Sequence, residues 1–375
     1  MKPLRIMATP SPAVGHFFPM VPMLWALRSA GHDVRVVVPA FFVNTVLQAG
    51  LAAVATAPVS EEQALDARDD IDDDHTTGTY RRLARIANAM AGDVERIVDG
   101  WRPHLVISDP MDFTGRRAAA EHGLAHAEHW IGGFLPTEPR TSAARHVFGA
   151  WHEAWPGMGS VPDVVIDPCP PGFQSAGAPS GIRTRYVPYN GPSAVPAWLT
   201  DRDRPRRVLI TLGTIVSQGP EAHQLLERTL DATARPDVEV VVAARPGTVP
   251  QELAQRAKAV RWLPIGLAVQ HCDLIVHHGG SGTTMAALAH GVPQVVCPSV
   301  LDQTDNARRL EELGAGRLVP VPAALAGDGE LVRAVEDVLG DPRYAKSAAV
   351  LRDENDAAPA PARAAEQLLR TMGER

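Results

Sequence analysis

The residues best placed to do chemistry in this 375-residue chain lie between positions 273 and 303, DLIVHHGGSGTTMAALAHGVPQVVCPSVLDQ. An apolar run ends at His277 and His278. Gly279, Gly280, Ser281, Gly282 and Thr283 follow, and a helix-forming stretch begins at once. Glycines let the backbone turn sharply and come close to a ligand. The first turn of a helix offers N–H groups without intrahelical partners and the positive end of a dipole, which suits a phosphate. The hydroxyls of Ser281 and Thr283 add donors. The loop has no lysine, unlike a Walker loop, and its glycines do not follow the G-x-G-x-x-G spacing. The same residues could equally form a plain strand-to-helix turn capped by serine. Neighbouring residues of a strand face opposite ways, so His277 and His278 cannot share one metal ion.

A second centre lies in the first half of the chain. His16 follows Gly15 in the expected loop between the first strand and the first helix, and Asp109 ends a later strand of the same half. Ligands of parallel α/β sheets gather at the carboxyl ends of the strands. Imidazole, titrating near neutrality, is the side chain best suited to take a proton there. A lone histidine after a glycine can also be a mere surface or capping residue.

The elements that must hold these residues alternate. Strands are expected at 4–8, 33–38, 51–55 and 105–108, with helices at 19–30, 41–49, 81–98 and 115–122. The proline-rich segment 186–205, YVPYNGPSAVPAWLTDRDRP, reads as a linker. Beyond it the alternation restarts, with strands in RVLITLG, VEVVVAA, AVRWL, LIVHH and QVVCP and a helix at 284–290. This order predicts an α/β chain of two doubly wound, Rossmann-like domains. Residues 1–190 form the first and 191–356 the second, with a helix at 357–375 that can return to the first. Residues 60–79, which hold Asp69, Asp70, Asp72, Asp73 and Asp74, show no periodicity and read as a solvated loop rather than a metal site.

Composition narrows the classes. Hydrophobic residues make up 45% and charged residues 21%, which fits a globular protein. A net charge of -7 without a basic cluster argues against nucleic acid. The three cysteines, Cys169, Cys272 and Cys297, have no C-x-x-C spacing, which fits a reducing cytoplasm without disulfides or zinc. No apolar run is long enough to span a membrane, and the start of the chain is not a signal peptide.

The whole constellation resembles the GT-B glycosyltransferases of family one, above all those that decorate bacterial natural products. The resemblance is carried by Trp262-Leu263-Pro264, His278-Gly279-Gly280-Ser281-Gly282-Thr283, Gly291-Val292-Pro293 and Asp302-Gln303, in that order. It extends to Gly15-His16 and to the linker. It implies two domains facing across a cleft, the first for the acceptor and the second for a nucleotide sugar. The activity implied is inverting, metal-independent hexosyl transfer. His16 would be the base, oriented by Asp109. Trp262 and the backbone at Leu263 would hold the base of the nucleotide. His278, Gly280, Ser281, Gly282 and Thr283 would hold the diphosphate, Thr214 would touch the donor, and Asp302 and Gln303 would bind sugar hydroxyls. Where relatives that use uridine diphosphate sugars commonly carry a ribose-binding glutamate, this chain has Ala286. That substitution points to a dTDP-sugar, a co-substrate rather than a cofactor, and hence to a deoxysugar.

The acceptor side is weakly encoded. Trp130, Phe134, Phe148, Trp151 and Trp155, with Phe17 and Met111, can line an apolar pocket or simply pack in the core. A hydrophobic natural-product aglycone, glycosylated at a hydroxyl, is the acceptor that the resemblance implies. The expected partners are therefore small molecules, with no nucleic acid and no membrane. A homodimer and an auxiliary activator protein both stay open. Competing readings are a non-catalytic nucleotide-sugar-binding partner of a biosynthetic complex, a C-glycosyltransferase, a sugar-nucleotide epimerase and a dinucleotide oxidoreductase. The epimerase lacks a carboxylate cluster. The oxidoreductase is disfavoured because ATPSPAVGH lacks the glycine spacing.

Overall fold

Strands two to seven residues long form two all-parallel sheets covered by helices, in a computed structural model that describes residues 2–56, 75–133, 162–201, 203–213, 220–245, 247–299, 302–327 and 329–373. The first sheet is built from β1 (Arg5–Thr9), α1 (Val14–Ser29), β2 (Asp33–Pro39), α2 (Val43–Gln48), β3 (Ala52–Thr56), α3 (His75–Trp101), β4 (Leu105–Ser108), α4 (Thr114–His122), β5 (Ala125–His129), β6 (Val164–Asp167) and β7 (Ile182–Arg183). Its strand order is β3-β2-β1-β4-β5-β6-β7.

The second sheet follows with β8 (Arg206–Thr211), α5 (Pro220–Ala232), β9 (Val238–Ala243), α6 (Gln251–Ala254), β10 (Ala259–Arg261), α7 (Ile265–Val269) and β11 (Leu274–His277). It is completed by α8 (Ser281–Ala289), β12 (Gln294–Val296), α9 (Gln303–Glu312), β13 (Gly316–Leu318), α10 (Val321–Ala326), α11 (Glu330–Gly340) and α12 (Pro342–Ala357). The order β10-β9-β8-β11-β12-β13 repeats the Rossmann arrangement of the first sheet. Each sheet therefore has one switch point where the strand order reverses, between β1 and β4 and between β8 and β11.

The chain divides into two compact units. One comprises Met1–Cys169, Ser175–Arg185 and Ala358–Arg375, and so includes the last helix, α13 (Pro361–Gly373), which packs on α1. The other comprises Pro170–Gln174 and Tyr186–Ala357.

Both faces of the second sheet are buried, which explains strands that are apolar throughout rather than alternating. Val208 and Ile210 of β8 pack with Leu225 and Leu226 of α5 and Val335 of α11. Leu209 between them faces the other way, with Ile275, Val269 and Ala287. In the first unit Met7, Val37 and Val106 pack under Ala87, Met90 and Val94 of α3. Each such side chain contributes about 1.5–3 kcal/mol through the area it removes from water.

The starts of α1, α3 and α8 differ from expectation by three residues or more. α1 begins at Val14 rather than at 19 and carries Pro19 and Pro22 inside it. A proline by itself favours the first turn of a helix. Phe17, Met20, Val21 and Leu24 are buried without exposed surface, and this packing outweighs two missing hydrogen bonds. α8 begins at Ser281 rather than at 284. α3 begins at His75, so the end of the expected 60–79 loop is helical, while the five aspartates lie outside the described residues. Among the described residues no helix is long and apolar enough to cross a membrane.

Candidate active site

Thr9 pairs with Ser108, so the segments that leave β1 and β4 emerge together at the first switch point. His16 sits there in the first turn of α1, not in the preceding loop. Its Nδ1 lies 2.9 Å from Asp109 Oδ1. The imidazole retains 17% exposure and the carboxylate none. Asp109 also accepts the Ser11 N–H, the Ser11 hydroxyl at 3.3 Å and the Met111 N–H at 2.8 Å. Burial pushes its pKa up. The positive charge and hydrogen bond of His16, with the Ser11 and Met111 N–H groups, outweigh burial, and the net shift is downward. A carboxylate only accepts, so Nδ1 of His16 donates to it, and when the ring is neutral Nε2 is the basic nitrogen.

Two further groups at this switch point were not singled out from the sequence. Asp112 accepts the Thr9 hydroxyl at 2.8 Å and the N–H groups of Thr114 at 2.9 Å and Gly115 at 2.7 Å. Burial, and then the charge of Asp109, raise its pKa to about 7. An aspartate two residues before a helix is the signal that could have found it. His129, the last residue of β5, donates through Nδ1 to the Trp130 carbonyl at 2.8 Å, and burial lowers its pKa to about 4.

Three of the residues expected on the acceptor side are described, and all three are interior. Phe17 has no exposed surface and meets Phe42 edge-on at 5.9 Å between ring centroids. Met111 belongs to the core under α3. Trp130 is 2% exposed and donates its indole N–H to Glu128 at 3.0 Å. All three side chains are buried. Phe134, Phe148, Trp151 and Trp155 lie outside the described residues.

At the second switch point His277 pairs with Thr211, which brings His278 beside the turn after β8. A Cβ on Gly213, whose φ is +75°, would lie 2.5 Å from the His278 ring, and one on Gly280 would lie 2.5 Å from Nε2. Two glycines thus make room for this imidazole. Its Nδ1 is buried with no hydrogen-bond partner among the described residues. Burial lowers its pKa to about 4, so it is a neutral donor or acceptor at pH 7.

The Thr283 and Thr284 N–H groups both close on the Gly280 carbonyl at 3.0 Å. The N–H groups of Ser281 and Gly282 therefore occupy the part of α8 that a helix leaves without intrahelical partners. The Ser281 hydroxyl donates to Asp302 and accepts from Asn306 Nδ2 at 3.2 Å. Its proton is thereby committed within the protein, leaving its backbone as the donor. Asp302 makes no side-chain cap to α9 and holds this loop instead. Gln303 is buried and accepts the Ser299 N–H at 2.9 Å. Asn306 went unnoticed in the sequence, although it stands one helical turn beyond Asp302 on the same face. Trp262 follows β10 and stays 39% exposed, while Leu263 is buried. An exposed tryptophan at the end of a strand is not a core residue. Ala286 has no exposed surface. Thr214 lies outside the described residues.

Two Rossmann-ordered sheets, the second with a glycine-rich turn into a helix at its switch point, define a GT-B glycosyltransferase. Comparison with known proteins agrees. The chain is 36% identical to L-demethylnoviosyl transferase of Streptomyces niveus over 97% of both chains. It is 31% identical to 3-alpha-mycarosylerythronolide B desosaminyl transferase of Saccharopolyspora erythraea over 96% of both. Spinosyn rhamnosyltransferase SpnG, solved with thymidine diphosphate, superposes with a TM-score of 0.84 at 30% identity, over 97% of this chain and 100% of that one. SpnG has also been solved with the spinosyn aglycone. Residues 25–213 match the N-terminal domain and residues 227–371 the C-terminal domain of Erythromycin biosynthesis protein CIII-like. The chain belongs to this family and is a glycosyltransferase.

Proposed function

We propose that the enzyme moves a deoxysugar from a dTDP-sugar to a hydroxyl of a hydrophobic natural-product aglycone, with inversion and without a metal. The first unit takes the acceptor and the second the nucleotide sugar. His16 Nε2 removes the proton of the acceptor hydroxyl as its oxygen attacks the anomeric carbon. Asp109 keeps the ring in the required tautomer and stabilises the imidazolium that forms. Such general-base assistance typically contributes about 10²–10⁴-fold. The departing diphosphate receives the N–H groups of Ser281 and Gly282, the dipole of α8 and a hydrogen bond from neutral His278. Trp262 stacks on the thymine.

The observation that carries this reading is the pairing of a buried carboxylate with His16 at one switch point and a helix amino end beside the buried His278 ring at the other, its Nδ1 without a hydrogen-bond partner among the described residues. The donor assignment is supported by Ala286, which offers no carboxylate to a ribose 2′-hydroxyl, and by the thymidine diphosphate bound to SpnG. Mass spectra of products from a matrix of dTDP- and UDP-sugars against hydroxylated aglycones test it. Transfer from dTDP-deoxysugars to a hydroxyl, with the anomeric configuration inverted by NMR, is expected. Exclusive use of UDP-sugars, or retention of configuration, would refute it.

A further inference from the structure

Gly279 is the first residue of the glycine-rich turn, and its backbone is held from both sides by side chains. Its φ is +92°, and a Cβ there would lie 2.8 Å from Val296 Cγ1 and 2.9 Å from the Gln303 carbonyl oxygen. Its N–H donates to His277 Nδ1 at 3.0 Å. Its carbonyl accepts from Asn306 Nδ2 at 2.9 Å and from the Thr284 hydroxyl at 3.3 Å.

The polarity of this arrangement is set throughout. Because His277 Nδ1 accepts, the proton of the neutral ring must be on Nε2. Nε2 then donates to Gln294 Oε1 at 2.8 Å, which turns the amide nitrogen of Gln294 toward the Thr284 carbonyl at 3.4 Å. His277 has no exposed surface, and burial lowers its pKa to about 3, so the ring stays in this state at neutral pH. Asn306 is buried and divides its two amide hydrogens among Gly279, Ser281 and Asp302.

A trans peptide points its C=O and the following N–H in opposite directions. No peptide bond described is cis. By holding the Gly279 carbonyl, Asn306 therefore fixes where the Gly280 N–H points. By holding the Gly279 N–H, His277 fixes the peptide that carries the His278 carbonyl.

We infer that His277 and Asn306 are positioning residues that set the phosphate turn in its binding geometry before the nucleotide arrives. The assignment rests on the reading that the diphosphate sits at the amino end of α8. His277 touches no ligand in this scheme. Its partner His278 does, which gives the two adjacent histidines separate tasks, one behind the turn and one in front.

Calorimetric titration of the full-length protein with thymidine diphosphate tests the inference, alongside KM for donor and for acceptor. His277→Leu and Asn306→Leu each remove one hold on Gly279. Each is expected to weaken thymidine diphosphate about tenfold, the scale of one lost internal hydrogen bond. Donor KM should rise in step while acceptor KM stays put. His277→Asn keeps an acceptor where Nδ1 stands and should restore most of the affinity. Wild-type affinity in folded His277→Leu and Asn306→Leu would overturn the inference. So would equal loss in His277→Asn and His277→Leu, or equal rises in both KM values. If His277→Leu does not fold, His277→Asn and Asn306→Leu carry the comparison. Gly282→Glu separates the two levels, since a Cβ at Gly282 meets nothing within 4 Å. Its carboxylate should abolish binding. Undiminished binding by this variant would overturn the site itself and the positioning with it.

Discussion

His16 and Asp109 are 93 residues apart in sequence and 2.9 Å apart in space, imidazole Nδ1 to carboxylate Oδ1. The parallel pairing of β1 with β4 produces this, because the two residues leave adjacent strands at the same edge. The second sheet repeats the device with Gly213 after β8 and His278 after β11.

His16→Ala should lower kcat by about 10²–10⁴-fold, since a general base is removed. Thymidine diphosphate affinity should stay within a factor of about two, because no nucleotide contact is assigned to His16. Steady-state kinetics with parallel calorimetry check this, and an equal collapse of nucleotide binding would refute the base assignment.

Asp109→Asn should damage both turnover and stability. An amide can accept through one atom only, whereas the carboxylate accepts from Ser11, Met111 and His16. Leaving a buried donor unmatched costs about 1–3 kcal/mol. A lower melting temperature together with reduced kcat and unchanged donor KM is expected. Wild-type turnover in this variant would remove Asp109 from the mechanism.

Acid should destabilise the protein well above the carboxylate range. His129, His277 and His278 have folded pKa values of about 4, about 3 and about 4, against about 6.5 when unfolded. Below pH 6.5 the unfolded state binds more protons, so this stability is complete above 6.5 and is lost as pH falls toward the folded values. Each histidine forfeits about 2 kcal/mol between pH 7 and pH 5. Asp112, raised to about 7, works in the opposite sense and gains stability as pH falls through 7. Three histidines outweigh one carboxyl. Calorimetric melting temperature should fall from pH 7 to pH 5, and a flat or rising trend would contradict these assignments.

Gly213→Ala should strain the turn after β8, since φ is +75° and the added Cβ would lie 2.5 Å from the His278 ring. Strain of this kind costs about 1–3 kcal/mol. Thymidine diphosphate should bind more weakly as the imidazole is displaced. Unchanged affinity and melting temperature would show that His278 has other room to occupy.

Nine of the described strands were legible in the sequence, because strands buried on both faces leave continuous runs such as VEVVVA and LIVH. β5, β6, β7 and β13 were not, since AHAEH mixes His and Glu with alanine and the others are only two to four residues long. Helix starts were less so. Pro19 carried the signal of a first turn, but packing of Phe17 and its neighbours extended α1 back to Val14. The prominent residues of both switch points stood out by motif and strand end. Their supports did not, since Asn306, Gln294 and Asp112 act on backbone groups or on side chains brought in by the fold. Asn306 reaches Gly279 across 27 residues, and no local pattern announces such a contact.

The most direct test is a crystal structure of the enzyme with thymidine diphosphate. Diphosphate oxygens are predicted within about 3.2 Å of the Ser281 and Gly282 N–H groups and of the His278 ring, the ordinary reach of such hydrogen bonds. A nucleotide bound with its diphosphate away from the amino end of α8 would contradict the account.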